Sequence, residues 1–216
     1  MIIAIDGPSG SGKGTIAKKL ANTLNFIYID TGAMYRCVSL QSLRKNVKIT
    51  DENKIVELLK NMDIKLTNDG KVYMNNEDVS EEIRSNEVTA RVSKISPIIA
   101  LRELIKERQR DYAKKGSIVM EGRDITTEVF PNADFKFYLD ASVEIRAKRR
   151  YKQNIEKGIK STLEDVKKII EERDFDDTNR PVGALKRTDD QIYIDSSNMT
   201  IDEVLNKMLG VIRKWI

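Results

Sequence analysis

The sequence predicts an α/β fold: a five-stranded parallel core sheet with helices on both faces, a small β-hairpin insert and a helical lid. Three observations point there. Short apolar runs alternate with helix-patterned stretches along the chain. The first run ends in a glycine-rich loop that opens into a helix. Residues 63–79 break the rhythm with the chemistry of a hairpin.

The elements follow in order. Ile2-Ile3-Ala4-Ile5-Asp6 is apolar on both pleat faces, as a strand covered on both sides requires. From Lys13 to about Leu24, Ile16, Ala17 and Leu20 share one helical face. Phe26-Ile27-Tyr28-Ile29 is the second strand, closed by Asp30-Thr31-Gly32. Helices follow over about Ala33–Lys45 and Asp51–Asn61. Ile64–Thr67 and Lys71–Met74 flank the turn Asn68-Asp69-Gly70, a hairpin signature. Pro97 is expected to open a long helix to about Lys115, since proline suits a first turn. Ser117–Glu121 and Phe135–Leu139 are the third and fourth core strands. Ser142 is placed to cap a basic helix holding Arg146, Lys148, Arg149 and Arg150, which Gly158 breaks. A helix over about Thr162–Arg173, a strand at Ile192–Ile194 and a helix over about Thr200–Lys214 complete the chain.

Right-handed crossovers bring the carboxyl ends of parallel strands to one edge, where such sheets bind ligands. The glycine loop, Asp30-Thr31-Gly32 and Gly122-Arg123-Asp124 all follow carboxyl ends, so the three converge.

The 216 residues carry 38 Lys+Arg against 34 Asp+Glu, a net charge of +4, with 40% hydrophobic residues. This suits one soluble domain over 1–216, with an insert at about 62–84 and a lid at about 151–172. There is no histidine, which removes histidine zinc sites and Ser-His-Asp or Cys-His nucleophile systems. The single cysteine, Cys37, forms no disulfide and reads as a small apolar residue. The first residues form no leader pattern, and no run approaches about 18 apolar residues. A cytoplasmic monomer with no membrane partner is therefore expected. A pI near 9.0 raises nucleic-acid binding, but such a small basic surplus reads as a mixed, solvated surface.

Gly7-Pro8-Ser9-Gly10-Ser11-Gly12-Lys13-Gly14-Thr15 fits the phosphate-loop pattern G-x-x-x-x-G-K, between a strand and a helix. Glycines let backbone N–H groups turn around an anion, and the helix start adds its positive end. Lys13 supplies a compact charge for β- and γ-phosphates. Gly14 fills the position where a hydroxyl usually holds Mg²⁺, so Thr15 becomes the candidate metal ligand. The loop predicts a P-loop NTPase fold and a nucleoside triphosphate. GTPases, ATPases and small-molecule kinases all remain open on it.

Three further segments narrow the choice: Asp30-Thr31-Gly32-Ala33-Met34-Tyr35-Arg36, Glu121-Gly122-Arg123-Asp124-Ile125, and Arg173-Asp174 followed by Asp177 and Arg180. With the GKGT loop and the hairpin insert, the chain resembles the bacterial-type cytidylate kinases from Ile3 to about Ser197. The resemblance implies ATP and CMP or dCMP as substrates, and Mg²⁺ as MgATP. It implies that Thr31, Arg36, Ser93, Arg102, Arg123, Asp124, Arg173, Asp177 and Arg180 form the monophosphate site. Of these, Ser93, Arg102 and Asp124 would face the cytosine, Asp177 the ribose, and Arg36, Arg123, Arg173 and Arg180 the phosphates. The catalytic set would be Lys13 with those four arginines.

Two departures from the family pattern stand out. Thr126-Thr127 follows Ile125 where the family usually has glycine then threonine, and a Cβ at 126 would strain a backbone of positive φ. Ala184-Leu185 and Thr188-Asp189-Asp190-Gln191 replace the family's Pro-Leu and Ala-x-Asp-Ala stretches.

The chemistry suits the residues. A phosphate monoester has a second pKa of about 6, so the acceptor is already anionic and needs no general base. The obstacle is bringing two anions together, which arginines relieve by bidentate charge-assisted bonds. On spacing alone, Arg173 and Arg180 could instead form exposed ion pairs with Asp174, Asp176 and Asp177, and Asp124 could pair with Arg123. Arg146, Arg149 and Arg150 read as a solvated helix face, from which one or two reach ATP when the lid closes. UMP, AMP, dTMP or an alcohol as acceptor, and an ATP-dependent RNA-binding module, are the competing readings. The RNA reading has little support in 6% aromatic residues and no RNP-like strand.

Overall fold

The computed structural model describes residues 1–156 and 158–215. Lys157, within the expected lid, and Ile216, the last residue of the expected domain, lie outside the described residues. In chain order the main elements are β1 (Ile2–Asp6), α1 (Lys13–Leu24), β2 (Ile27–Asp30), α2 (Thr31–Arg44), α3 (Glu52–Lys60), β3 (Ile64–Leu66), β4 (Val72–Met74), β5 (Glu77–Asp78) and α4 (Asn86–Ile95). Then come α5 (Ile99–Ala113), β6 (Ile118–Gly122), β7 (Phe135–Asp140), α6 (Val143–Glu156), α7 (Leu163–Asn179), β8 (Ile192–Asp195) and α8 (Ile201–Ile212).

Five strands pair in the order β2-β6-β1-β7-β8, all parallel. This is the expected α/β sheet, with β1 at its centre. The register aligns Asp6 with Gly122 and with Tyr138, and Asp30 with Glu121. Four strands thus end level, and their polar ends share one edge.

Side-chain alternation sorts the two faces. Ile3 and Ile5 turn to the face covered by α1 and α8, where Ile16, Leu20, Val204 and Met208 are buried with Phe137 and Leu139. Ala4 turns to the other face, where α2, α3 and α5 bring Met34, Val38, Leu59, Leu101 and Ile105 onto Ile29, Ile118 and Met120. Among the described residues, no helix is long and apolar enough to cross a membrane.

Four readings are corrected. The hairpin is the first part of a three-stranded antiparallel sheet, β3-β4-β5. A helix, α4, precedes Pro97: Val88, Val92 and Ile95 give it an apolar face, and Ser85 caps it by accepting from Val88 N at 3.4 Å. Pro97 therefore stops α4 rather than opening α5, because it lacks the N–H needed to continue a helix. Helix α7 runs six residues past Arg173, to Asn179. Nothing breaks it before Pro181, which forces Arg180 out of helical geometry (ψ 145°). Thr126 is not at positive φ; it sits in a π-helical turn, Ile125–Val129, which accommodates its Cβ.

Candidate active site

The level strand ends open onto a cleft of about 1150 Å³. Its floor is the phosphate loop. Gly7 turns at φ 152°, where a Cβ would overlap the Leu139 carbonyl, so the chain leaves β1 tight against β7. Gly12 caps α1 with no side chain, leaving the first-turn N–H groups for an anion. Lys13 is 5% exposed, and its ammonium donates to Pro8 O at 2.7 Å. Burial first, then the nearby Arg123 charge, pushes its pKa down. Thr15 is exposed on the cleft side.

Two carboxylates stand beside the loop. Glu121 Oε1 lies 3.2 Å from where a Cβ on Gly14 would sit. Burial, then the Asp30 charge, raises its pKa. Asp30 caps α2 by accepting from Ala33 N at 3.1 Å, and Arg84 approaches it at 3.5 Å. Thr31 donates its hydroxyl to Glu121 O at 2.7 Å, which pins the start of α2 to β6.

The far wall is built from arginine–carboxylate pairs. Arg102, 2% exposed, is paired with Asp124 and also donates to Ser96 O at 3.1 Å. Its Nε is buried without a partner. Arg123 Nε donates to Asp177 Oδ2 at 2.6 Å, and Arg180 NH1 lies 3.5 Å from the same carboxylate. Burial works to raise the Asp177 pKa, but Arg123, Arg173 and Arg180 outweigh it and hold it low. Arg173 and Asp177 are four residues apart, so α7 presents them on one face, and Arg180 follows at the end of that helix.

Three arginines differ. Among the described residues, Arg36, Arg150 and Arg173 have no carboxylate within ion-pair distance. Arg36 holds only neutral groups, Ile83 O at 2.9 Å and Thr89 Oγ1 at 2.8 Å. Burial pushes both Arg36 and Arg173 down to about 10, and neighbouring arginines add to it. Converging from α2, α6 and α7 on one cleft, these cations have no directly paired carboxylate among the described residues, the situation of a phosphate site.

A model of the family described as cytidylate kinase matches residues 3–214. The chain belongs to the cytidylate kinase family. A Listeria monocytogenes cytidylate kinase is 48% identical over 97% of this chain and 94% of its own length. One from Desulforamulus reducens is 48% identical over 98% and 96%. Among solved structures, an uncharacterized protein from Eubacterium ventriosum matches with a TM-score of 0.57, over 99% of this chain and 98% of that one, at 14% identity. A Thermus thermophilus protein gives 0.53 over 100% and 98%, at 13% identity. These two likenesses concern the fold alone.

Cytidylate kinase membership makes the chain a phosphotransferase, and the placement of the expected residues can be read against that. Ser9 to Thr15, Thr31, Arg36, Ser93, Arg102, Arg123, Asp124, Arg173, Asp177 and Arg180 line the one cleft. Gly7 and Pro8 stand behind it. Asp124 pairs with Arg102, not with its neighbour Arg123, because the turn after β6 points the two side chains apart. Arg146 is not on a solvated face: it is 4% exposed and ties Ser9 O (3.0 Å) and Ala141 O (2.8 Å) to Asp174 (2.6 Å). Arg149 donates to Ser196 O at 2.7 Å and reaches Ser11 O of the loop at 3.4 Å. Of the three arginines on α6, that leaves Arg150 facing the cleft with no side-chain hydrogen bond or ion pair among the described residues. Arg84 and the carboxylates Asp30 and Glu121 also line the cleft, although the sequence alone assigns them no role. Asp30 and Glu121 were marked by their motifs, whereas nothing local marks Arg84.

Proposed function

We propose that this chain transfers the γ-phosphoryl group of ATP to CMP and dCMP, giving ADP with CDP or dCDP. One observation carries the reading: the phosphate loop and the Arg102–Asp124 pair open onto the same cleft, with uncompensated arginines between them. Membership of the cytidylate kinase family supports the acceptor class.

Lys13 and the loop N–H groups hold the β- and γ-phosphates. Arg36, Arg150 and Arg173 take the acceptor phosphate and the transferring group. Their charge offsets the repulsion between two anions, and their fixed positions favour in-line approach. The acceptor oxygen attacks the γ-phosphorus and the bond to the β-phosphate oxygen breaks. No proton need move, which is why a chain without histidine can do this chemistry. Asp177 keeps Arg123 and Arg180 in place and is positioned for the ribose. Asp124 accepts from the cytosine amino group and repels the uracil carbonyl.

Thr15, Glu121 and Asp30 would hold Mg²⁺ through oxygen, directly or through its waters. Among the described residues there is no group of three or more His, Cys, Asp or Glu side chains that could hold a metal. A sparse oxygen set suits Mg²⁺, which keeps several waters and binds through substrate phosphates. When bound, the ion neutralises charge on the phosphates.

The test is coupled ADP release with MgATP and CMP, dCMP, UMP, AMP, dTMP or no acceptor. Fast turnover with CMP and dCMP, slow with UMP and near zero without acceptor is expected. Equal slow turnover throughout would overturn the acceptor site. In the same assay Asp124→Asn should narrow the CMP-over-UMP preference; an unchanged ratio removes Asp124 from base reading.

A further inference from the structure

Beneath the cleft, outside its lining, three buried polar side chains form a relay. Asp6, the last residue of β1, is wholly buried. Its carboxylate accepts from Ile125 N at 2.9 Å, Thr126 N at 2.8 Å and Thr126 Oγ1 at 2.6 Å. With its proton directed at Asp6, the Thr126 hydroxyl offers a lone pair, which accepts from Gln191 Nε2. Gln191 is 7% exposed. Its Oε1 accepts from Thr188 N at 2.9 Å, and its Nε2 also reaches Lys186 O at 3.4 Å. One side chain therefore folds residues 186–191 on themselves and fastens them to the turn after β6.

The fastened segment has a task at its other end. Gly183 lies against the Arg102–Asp124 pair so closely that a Cβ there would overlap the Arg102 guanidinium. Arg180 Nε donates to Gly183 O at 2.6 Å, and Leu185 N donates to Asp177 O at 2.7 Å. Ala184 and Leu185 are buried. Residues 180–185 thus back the Arg102–Asp124 pair, while Gln191 ties their continuation to Thr126, two residues after Asp124.

We propose that Gln191, acting through Thr126, is a positioning residue for the acceptor site: it holds the 180–191 segment against the Gly122–Asp124 turn, so that Asp124 and Arg102 meet the base in one geometry. This rests on the reading of that pair as the base site. The bond is strengthened because its acceptor hydroxyl is polarised by a buried carboxylate. Without it, two buried polar groups lose a partner and the segment loses its anchor.

The experiment compares wild type with Gln191→Ala, Thr126→Val and Thr126→Ser. Gln191→Ala and Thr126→Val should raise the KM for CMP about tenfold, with the KM for ATP within about twofold. Thr126→Ser, which keeps the hydroxyl, should restore the KM for CMP. In nucleotide-free protein, amide exchange at Gly183–Leu185 should quicken in the first two variants only. An unchanged KM for CMP in Gln191→Ala, or equal rises in both KM values, overturns the proposal. So does exchange at Gly183–Leu185 that ignores the substitutions, a readout that needs no CMP. If wild type itself failed to use CMP, the proposed function would fall, while the exchange arm would still judge the fastening.

Discussion

At the scale of single residues, the cleft is defined by which cations are compensated. Asp177 pairs with both Arg123 and Arg180, and Asp124 pairs with Arg102, so these three arginines have carboxylate partners within the protein. Among the described residues, the Lys13 ammonium bonds only to a carbonyl and a distant hydroxyl. Burial and the Arg123 charge bring its pKa to about 7, well below the ordinary lysine value near 10.4. A bound triphosphate favours the ammonium and raises that pKa. Between the two values, the complex then holds more protons than the free enzyme. The sign follows: MgATP binding takes up protons above pH 7, and affinity falls as pH rises, by up to about tenfold per unit. Calorimetry in buffers of different ionisation enthalpy at pH 8 should record net uptake, and Kd should rise from pH 7 to pH 9. Zero uptake with a flat Kd would mean that Lys13 is already charged in the free protein.

At the scale of elements, α6 and α7 are unevenly held. Their shared core is small, with Ala147, Val166 and Ile170 buried and Val143 and Tyr151 packed beside them. Ile169 and Leu163 remain 59% and 38% exposed. The second half of α7 is anchored differently, by Arg146 to Asp174 and Arg123 to Asp177, both at 2.6 Å. So α7 should open from its N-terminal half while its C-terminal half stays on the cleft. Hydrogen exchange in the free protein should be faster at Leu163–Ile170 than at Arg173–Asn179, and MgATP with CMP should slow the first segment. Uniform protection along α7, unaffected by nucleotides, would rule out this lid. The same elements mark how far the sequence could be read. Core strands were legible because burial on both faces makes them continuous apolar runs. The phosphate loop was legible because its spacing is local. Helix α4 is hard to read because its Val88, Val92 and Ile95 stripe is β-branched and follows a hairpin. The end of α7 was placed early because its last turns are almost wholly charged or polar, and their partners lie on other elements. Arg146 looked solvated for the same reason. Pairings such as Arg102–Asp124 are set by tertiary packing, and no local pattern encodes them.

At the scale of the whole molecule, the decisive element is α2. One side buries Met34 and Val38 against the main sheet. The other buries Ala33, Cys37 and Leu40 against Val72, Met74, Val79 and Ile83 of the insert and Val88 of α4. The tip of the β3–β4 hairpin is also tied down: Tyr28 N donates to Asn68 Oδ1 at 3.0 Å, and Lys18 Nζ donates to Asp69 O at 2.5 Å. The small sheet therefore has no complete core of its own, and Arg36 of α2 reaches across to Ile83 O and Thr89. Losing the insert would strip one face of α2 and release an arginine of the phosphate site. The chain should accordingly unfold in a single calorimetric transition. Met74→Ala, at a position 2% exposed in the insert, should destabilise the whole protein by about 2–5 kcal/mol and lower its one Tm by on the order of 10 °C. A second, earlier transition in Met74→Ala, with the main Tm unmoved, would make the insert an independent unit. It would also sever the coupling that α2 provides between the insert and the site of phosphoryl transfer.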